Sequence, residues 1–163
     1  MPLNARRIII LAFLLTTIAF STMAAYTTHL YFRAYTCVRN LNVDIQKFNV
    51  NIFNVSYAST ETILTIQNPS ECTFKVLYIV ERLELEGQFI SVDGRYMWTN
   101  PMKIPPQSNV TVTLELNIHH DRIQYVKTRL KDYWLMEIRM LLNGLLVGDF
   151  MYDSWFTTKI TNI

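Results

Sequence analysis

A long uncharged segment near the beginning of the chain limits where the remaining residues can fold. The residues from Ile8 to Phe32 include no Asp, Glu, Lys or Arg, and this run is 25 residues long. As a helix it would measure about 37 Å, which is enough to cross a hydrocarbon core of about 30 Å with some tilt. We therefore predict a transmembrane helix at 8–32, preceded by a short cytoplasmic tail at 1–7.

Two other interpretations of this segment stay open. Arg6 and Arg7 before an apolar core are typical of a retained anchor and of a cleaved signal peptide alike. The small residues at 22–25 could serve as a cleavage site, whereas Tyr26 and Phe32 continue the apolar character and favour an interfacial, retained helix. A filament subunit whose helix packs in a fibre core is the third interpretation, although no processing site precedes the apolar run.

The charges beside the helix give little information on its orientation. Arg6 and Arg7 lie on one side, while Arg33 and Arg39 lie on the other. A short N-terminal tail followed by a long polar domain usually places the domain outside. We therefore expect a single-pass protein of the cell membrane that contacts the lipid bilayer through residues 8–32 and has its C-terminal domain on the extracytoplasmic side.

The composition after the anchor fits one domain and excludes several functions. Of 163 residues, about 130 follow the anchor, the size of an ordinary domain. The net charge is +2 and no Lys/Arg cluster is present, so we predict no nucleic-acid partner. Only four glycines occur, which leaves no phosphate-binding loop, and we predict no cofactor and no small-molecule substrate.

Alternating apolar residues predict β-strands through residues 43–158, with a connector at 33–42 and a C-terminal tail at 159–163. Val43 and Ile45 alternate, and the period slips before Phe48, as a bulge in an edge strand would require. A strand ending at Asn68-Pro69 follows, because proline cannot donate to a ladder. The residues from Val110 to Ile118 alternate strictly, which predicts one buried face and one face in water.

The strand at 74–81 is predicted to place Phe74, Val76, Tyr78 and Val80 on one face and Glu81 on the other. Gly87 would break the fourth strand, and Asp93-Gly94 is typical of a tight turn. Residues 121–132 have helical spacing and predict a short crossover helix over one end of the sheets.

Asn143-Gly144 predicts a two-residue hairpin in which Leu142 faces Leu145. This register places an apolar set on one side of the hairpin, together with Asp149 and Asp153; the set is Trp134, Met136, Ile138, Met140, Val147 and Met151. About seven strands with such a face predict an all-β sandwich of the immunoglobulin or fibronectin III type.

The order of these features resembles the type 2 late embryogenesis abundant (LEA) family, also called the water-stress and hypersensitive-response domain. The resemblance rests on the segments 64–70, 74–80, 104–108 and 110–118, which include Asn68-Pro69-Ser70 and Ile104-Pro105-Pro106, and on a closing hairpin around Gly144. It covers residues 42–158. It implies a β-sandwich without a catalytic site, often preceded by a single membrane helix, and a role in desiccation and stress responses.

Few residues suggest chemistry. Cys37 and Cys72 could form a disulfide if the domain is exported, or they could be two unpaired thiols. The pair His119-His120 sits on opposite faces of a strand, so we predict a polar turn there rather than a metal site. The sequons at Asn54 and Asn109 are compatible with N-glycosylation. We predict no metal, no catalytic residue and no enzymatic activity.

The closing hairpin also carries large apolar side chains on its second face, more than a free monomer usually exposes. We predict a partner surface there, formed by Leu135, Leu141, Leu146, Phe150 and Tyr152. The chain is therefore interpreted as a membrane-anchored binding or structural accessory subunit of a membrane-protein complex. A desiccation-protective LEA protein and a subunit of an extracellular filament are the alternatives.

Overall fold

The computed structural model describes residues 3–144 and 150–160, with side chains at 5–144 and 153–160. Over these residues the chain forms a long helix, eight strands and a short second helix. The elements are α1 Leu3–Arg39, β1 Asn42–Ile52, β2 Ala58–Asn68, β3 Phe74–Leu85, β4 Gln88–Tyr96, β5 Met102–Ile104, β6 Ser108–Ile118, α2 His120–Thr128, β7 Trp134–Gly144 and β8 Phe150–Ile160.

The strands form two antiparallel sheets. The smaller sheet has the order β1-β2-β6, and the larger has the order β4-β3-β7-β8 with β5 paired to the beginning of β3. Every second residue is buried along most of β2, β6 and β7, so one face of each sheet lies in the interior, and most of the side chains there are apolar. The predicted sandwich after an apolar helix is confirmed, with eight strands where about seven were expected.

Large side chains from both sheets fill the space between them. Phe48 of β1 and Trp134 of β7 are fully buried and meet edge to face, with ring centroids 5.3 Å apart. The residues Leu64, Ile66, Leu83, Leu116 and Met136 are buried around them. Aromatic pairs in this arrangement stabilise a fold by about 0.5–1.5 kcal/mol beyond the effect of the area they bury. The sheets are therefore held together mainly by apolar contact.

The long helix α1 extends past the predicted span and joins the sandwich directly. It is long and apolar enough to cross a membrane, and its apolar window is not buried against the rest of the structure; a signal sequence has the same properties. Where a connector was predicted at 33–42, the helix continues to Arg39. Ala34 and Cys37 in its last turns are buried, as is Leu41. The end of α1 is thus part of the folded domain.

Asn68 organises the loops at the end of the sandwich that receives the helix. Its side-chain amide donates to the carbonyls of Cys72 and Pro105, at 2.7 Å each. Its Oδ1 accepts a hydrogen bond of 2.6 Å from the Ser70 hydroxyl. Gln107 N donates to Ser70 O at 3.0 Å. The two proline-containing segments of the sequence therefore meet in a single buried network.

A bulge at Leu77 reverses the predicted faces of β3. The pairing of β3 with β7 shifts register between Val76 and Tyr78. Leu77 and Val76 are both buried, and the alternation beyond them continues one residue out of phase. Tyr78 and Val80 therefore lie on the outer face, and Glu81 lies inside the sandwich with 0% of its surface exposed. The prediction for residues 78–81 was wrong because the extra residue inverts every position after it.

Two predicted turns also differ. The β3–β4 turn is at Glu86 and Gly87, both with positive φ. Gly94, predicted to lie in a turn, is within β4 opposite Val80. A Cβ on Gly94 would come within 2.8 Å of Ile79 O. Glycine is needed here because β3 approaches closely.

The β7–β8 register is longer than the predicted hairpin. Gly144 pairs with Phe150 and Leu142 pairs with Tyr152, so residues 145–149 connect the strands; they lie outside the described residues. This pairing places Asp153 opposite Leu141 on the outer face, not beside the apolar set. The strands also extend beyond the predicted limits, from Asn42 to Ile160.

The predicted crossover helix is present as α2. It links β6 of the smaller sheet to β7 of the larger one, and its Ile123 and Val126 are buried. The bulge predicted in β1 is confirmed by a register shift between Ile45 and Lys47.

Candidate partner-binding surface

The outer face of the five-stranded sheet carries a cluster of large rings. Tyr78 lies between Tyr96 and Trp98, with ring-centroid distances of 5.9 and 6.3 Å. Tyr96 and Trp98 are 66% and 53% exposed, and Trp155 on β8 is 59% exposed. Tyrosine and tryptophan at this exposure are the residues most enriched where proteins bind one another.

Arg139 connects these rings across the sheet. Its guanidinium carbon lies 4.7 Å from the Trp155 ring centroid and 5.7 Å from that of Tyr78. We call Tyr78, Tyr96, Trp98, Arg139 and Trp155 the aromatic face. Its members come from β3, β4, β7, β8 and the segment after β4, so the sheet positions all of them.

An ion pair orients Arg139. Its Nε donates to both oxygens of Asp153, at 2.9 and 3.1 Å, and the hydrogen bond to Asp153 raises the pKa of the guanidinium. The two residues occupy neighbouring positions on β7 and β8, since Arg139 pairs with Trp155 and Leu141 with Asp153. A bidentate pair fixes the guanidinium plane. Arg139 is therefore presented in a defined orientation beside two aromatic rings.

A second arginine repeats this arrangement on the same face. The Arg82 guanidinium carbon lies 5.8 Å from the Phe89 ring centroid. Arg82 also forms ion pairs with Glu84 and Glu137. Phe89 and Val92 are exposed beside it. The outer face thus combines exposed apolar area with charged groups that hold each other in place.

The predicted partner residues that the structure describes lie towards opposite ends of β7. Leu135 and Leu141 are half-buried on β7. Leu141 pairs with Tyr78 and Asp153 and so adjoins the aromatic face. Leu135 lies at the other end of β7, where it lines a concave region of about 410 Å³ with Glu86, Lys131 and Lys159. The side chains of Leu146, Phe150 and Tyr152 lie outside the described residues.

Sequence reasoning missed the aromatic face itself. Tyr78 was assigned to the interior because the bulge at Leu77 leaves no clear signature in an apolar run. Tyr96 was separated from β3 by the turn predicted at Asp93-Gly94. Trp155 could have been found only with the β7–β8 register. The sequence signal that could have indicated this face was the large number of aromatic residues in the strands of one sheet.

The other candidate residues lie away from this face. His119 Nδ1 is 2.7 Å from Asp121 Oδ1, next to the beginning of α2. That hydrogen bond lowers the pKa of Asp121. In the described part of the chain, no group of three or more His, Cys, Asp or Glu side chains is placed to hold a metal ion. Cys37 and Cys72 form a disulfide.

Both sequon asparagines are exposed. Asn54 lies in the β1–β2 turn, where its Oδ1 accepts hydrogen bonds from the backbone N–H of Ser56 and Tyr57, at 2.7 and 2.8 Å. Asn109 lies on β6, where its register partner is Gln67 of β2. Their glycosylation stays a prediction.

Comparison with known proteins identifies a fold. No protein-family model and no curated protein matches the sequence. The X-ray structure of structural-genomics target SoR45 is 12% identical with a TM-score of 0.53, covering 75% of this chain and 86% of that one. The Arabidopsis thaliana protein AT1g01470 is 10% identical with a TM-score of 0.51, covering 73% of this chain and 80% of that one. At these identities the likeness shows the fold alone.

A LEA protein is also among the structural neighbours. Its solution structure is 9% identical, with a TM-score of 0.35, covering 89% of this chain and 84% of that one. A superposition this loose carries no argument about family. The resemblance to the type 2 LEA family therefore stays a prediction.

Proposed function

We propose that this chain is a non-enzymatic, single-pass membrane subunit whose extracytoplasmic sandwich binds another membrane protein through the aromatic face. The observation that carries the proposal is an exposed cluster of Tyr, Trp and Arg on a domain that is joined to an apolar helix. Tyr, Trp and Arg side chains that become buried in an interface often dominate its affinity, because the rings of Tyr and Trp bury large areas at a low cost in side-chain entropy and Arg supplies several hydrogen-bond donors. No second function has an observation of equal weight.

The membrane span is supported by the environment of α1. Its apolar side chains between Ile8 and Phe32 are almost all exposed in the isolated chain. The threonines within it donate to carbonyls one turn earlier, as Thr17 does to Phe13 O at 2.8 Å. A helix that satisfies its own polar groups and exposes apolar side chains all round is suited to lipid.

The extracytoplasmic side is supported by the disulfide. Disulfides persist in oxidising compartments and are rare in the cytosol. Cys37 lies five residues after Phe32, the last residue of the uncharged run. The bond therefore forms close to the membrane surface on the domain's side. The last turns of the helix belong to the folded domain through Ala34 and Cys37, and this attachment supports an anchor that is held close to the sandwich.

The position of the aromatic face suits a partner in the same membrane. Tyr78 lies four residues beyond Phe74, where β3 begins after the loop that holds Cys72. At about 3.3 Å per residue, Tyr78 is about 13 Å along the strand from the helix-proximal end. A neighbouring membrane protein needs only a modest extracytoplasmic portion to reach it.

Site-specific photo-crosslinking in native membranes tests this proposal. A photoreactive phenylalanine analogue at Tyr96 should form one discrete crosslinked species. The same analogue at Thr113, exposed on β6 of the opposite sheet, is the matched control and should form none. Equal yields at the two positions, or none at either, would remove the aromatic face as the binding surface.

A further inference from the structure

We propose that Glu81 acts as a proton-dependent lock between the two sheets, which keeps them tightly packed while its carboxyl is neutral and loosens them when it ionises. This inference concerns the interior of the sandwich and is independent of the proposed partner.

The geometry around Glu81 suits an acid and not a carboxylate. Thr62 Oγ1 on β2 lies 2.6 Å from Glu81 Oε1 on β3, so the hydrogen bond joins the two sheets across the core. Glu81 Oε2 and the nearby Thr60 Oγ1 are buried without hydrogen-bond partners in the described structure. A neutral carboxyl tolerates this surrounding, whereas an ionised one needs a cation or several donors.

No cationic side chain is buried beside Glu81 on the neighbouring strands that the structure describes. Thr60 and Thr62 face Glu81 from β2, and Ile138 is its register partner on β7. The inward residues of β6 and β1 near it are apolar: Leu114, Leu116 and Phe48. On β4 the register partner of Glu81 is Asp93, and Arg95 pairs with Ile79. Both of these charged side chains are exposed at the sheet edge.

Burial therefore raises the pKa of Glu81 to about 7, from an ordinary value of 4.5, and the hydrogen bond from Thr62 offsets part of this rise. Between pH 4.5 and about 7, the Glu81 carboxyl keeps its proton in the native state and loses it in the unfolded chain. Stability is therefore highest below pH 4.5 and falls as pH rises towards 7, where the native carboxyl also ionises. For this group alone, the folding equilibrium constant should fall about 200-fold between about pH 4 and pH 8.

The position of Glu81 gives the lock a structural consequence. The smaller sheet begins with β1, directly after α1, whereas the larger sheet carries Tyr78, Tyr96 and Trp155. An ionised Glu81 is unfavourable in the space between the two sheets, because its charge would be buried against the inward residues of both. Its ionisation should therefore loosen the packing between the sheet joined to α1 and the sheet that presents the aromatic rings.

Urea unfolding of the full chain in detergent, followed by near-UV circular dichroism from about pH 4 to pH 8, tests the lock. Glu81→Gln mimics the neutral acid and should remove most of the pH dependence, while Asp93→Asn should leave it nearly unchanged. Identical pH profiles for Glu81→Gln and the parent chain would overturn the inference.

Infrared spectroscopy keeps the test decisive if Glu81→Gln does not fold. The parent chain should show the C=O stretch of a buried protonated carboxyl at about pH 5.5, where an ordinary Glu is largely ionised, and lose it by about pH 8.5. A parent chain without this band at about pH 5.5 would also overturn the inference.

Discussion

Cys37 in the last turns of α1 is bonded to Cys72 in the β2–β3 loop, and the two Cα atoms are 6.1 Å apart. The neighbouring residues add an ion pair, in which Arg33 Nε donates to Glu71 Oε1 at 3.0 Å. Both cysteines are buried within the core cluster. The apolar helix and the sandwich are therefore joined by covalent, ionic and apolar contacts within a few residues.

Replacing Cys37 and Cys72 together by serine should destabilise the sandwich by about 3–4 kcal/mol, because the bond closes a long loop in the unfolded chain. Urea unfolding in detergent measures the change. Replacing Arg33 by Gln is the control for the exposed ion pair and should change stability by less than about 1 kcal/mol. A double serine variant as stable as the parent would show that the disulfide does not support the fold.

Asn68→Ala should be among the more damaging loop substitutions. It removes donors to Cys72 O and Pro105 O and an acceptor for Ser70, at buried positions for Cys72 and Ser70 and a partly buried one for Pro105. Leaving such groups unsatisfied should lower the free energy of unfolding by about 3 kcal/mol.

Ser108→Ala is the matched control for Asn68→Ala, because Ser108 Oγ donates to the same Pro105 carbonyl at an exposed position. It should lower the free energy of unfolding by no more than about 1 kcal/mol. Equal losses in the two variants would contradict the assigned role of Asn68. Thermal or urea unfolding distinguishes these outcomes.

Gly94→Ala tests the correction of the predicted turn. Inside β4 the new methyl group would meet Val80 Cγ2 and Ile79 O, at 2.7 and 2.8 Å. The strands must separate to accept it, which should cost about 1–3 kcal/mol of stability. In an exposed turn the same change would be tolerated. A fully stable Gly94→Ala variant would therefore contradict the β3–β4 pairing.

The aromatic face predicts a separation of binding from folding. Replacing both Trp98 and Trp155 by serine removes exposed rings, so the unfolding midpoint should change little while binding to the membrane partner is lost. Tyr133→Ser removes a ring that is 70% exposed but lies outside the face, and it should bind like the parent. Copurification from native membranes measures binding, and loss in the Tyr133 variant alone would contradict the assignment.

Regular alternation made much of the fold predictable. The strict pattern at 110–118 identified β6, the slip before Phe48 identified the β1 bulge, and Asn68-Pro69 marked the end of β2. A bulge inside a uniformly apolar run gives no such signal, because both Val76 and Leu77 fit an interior position. That single extra residue places Tyr78 on the surface and Glu81 in the core. The alternation of apolar residues could therefore not predict where these two side chains lie.

The predicted two-residue hairpin was wrong for a related reason. Asn143-Gly144 is a strong local turn signal, yet Gly144 pairs with Phe150 and extends β7. The register, and with it the outward position of Asp153 and Trp155, depends on contacts across the sheet that a local pattern does not contain.

Gentle detergent extraction from native membranes, followed by native mass spectrometry, tests whether this chain is an accessory subunit of a membrane complex. A membrane-anchored accessory subunit should travel at fixed stoichiometry with another membrane protein, and the Trp98→Ser, Trp155→Ser double variant should be released as a folded single chain. Migration of the parent as an isolated 19.2 kDa chain with bound detergent would show that it is not a subunit of such a complex.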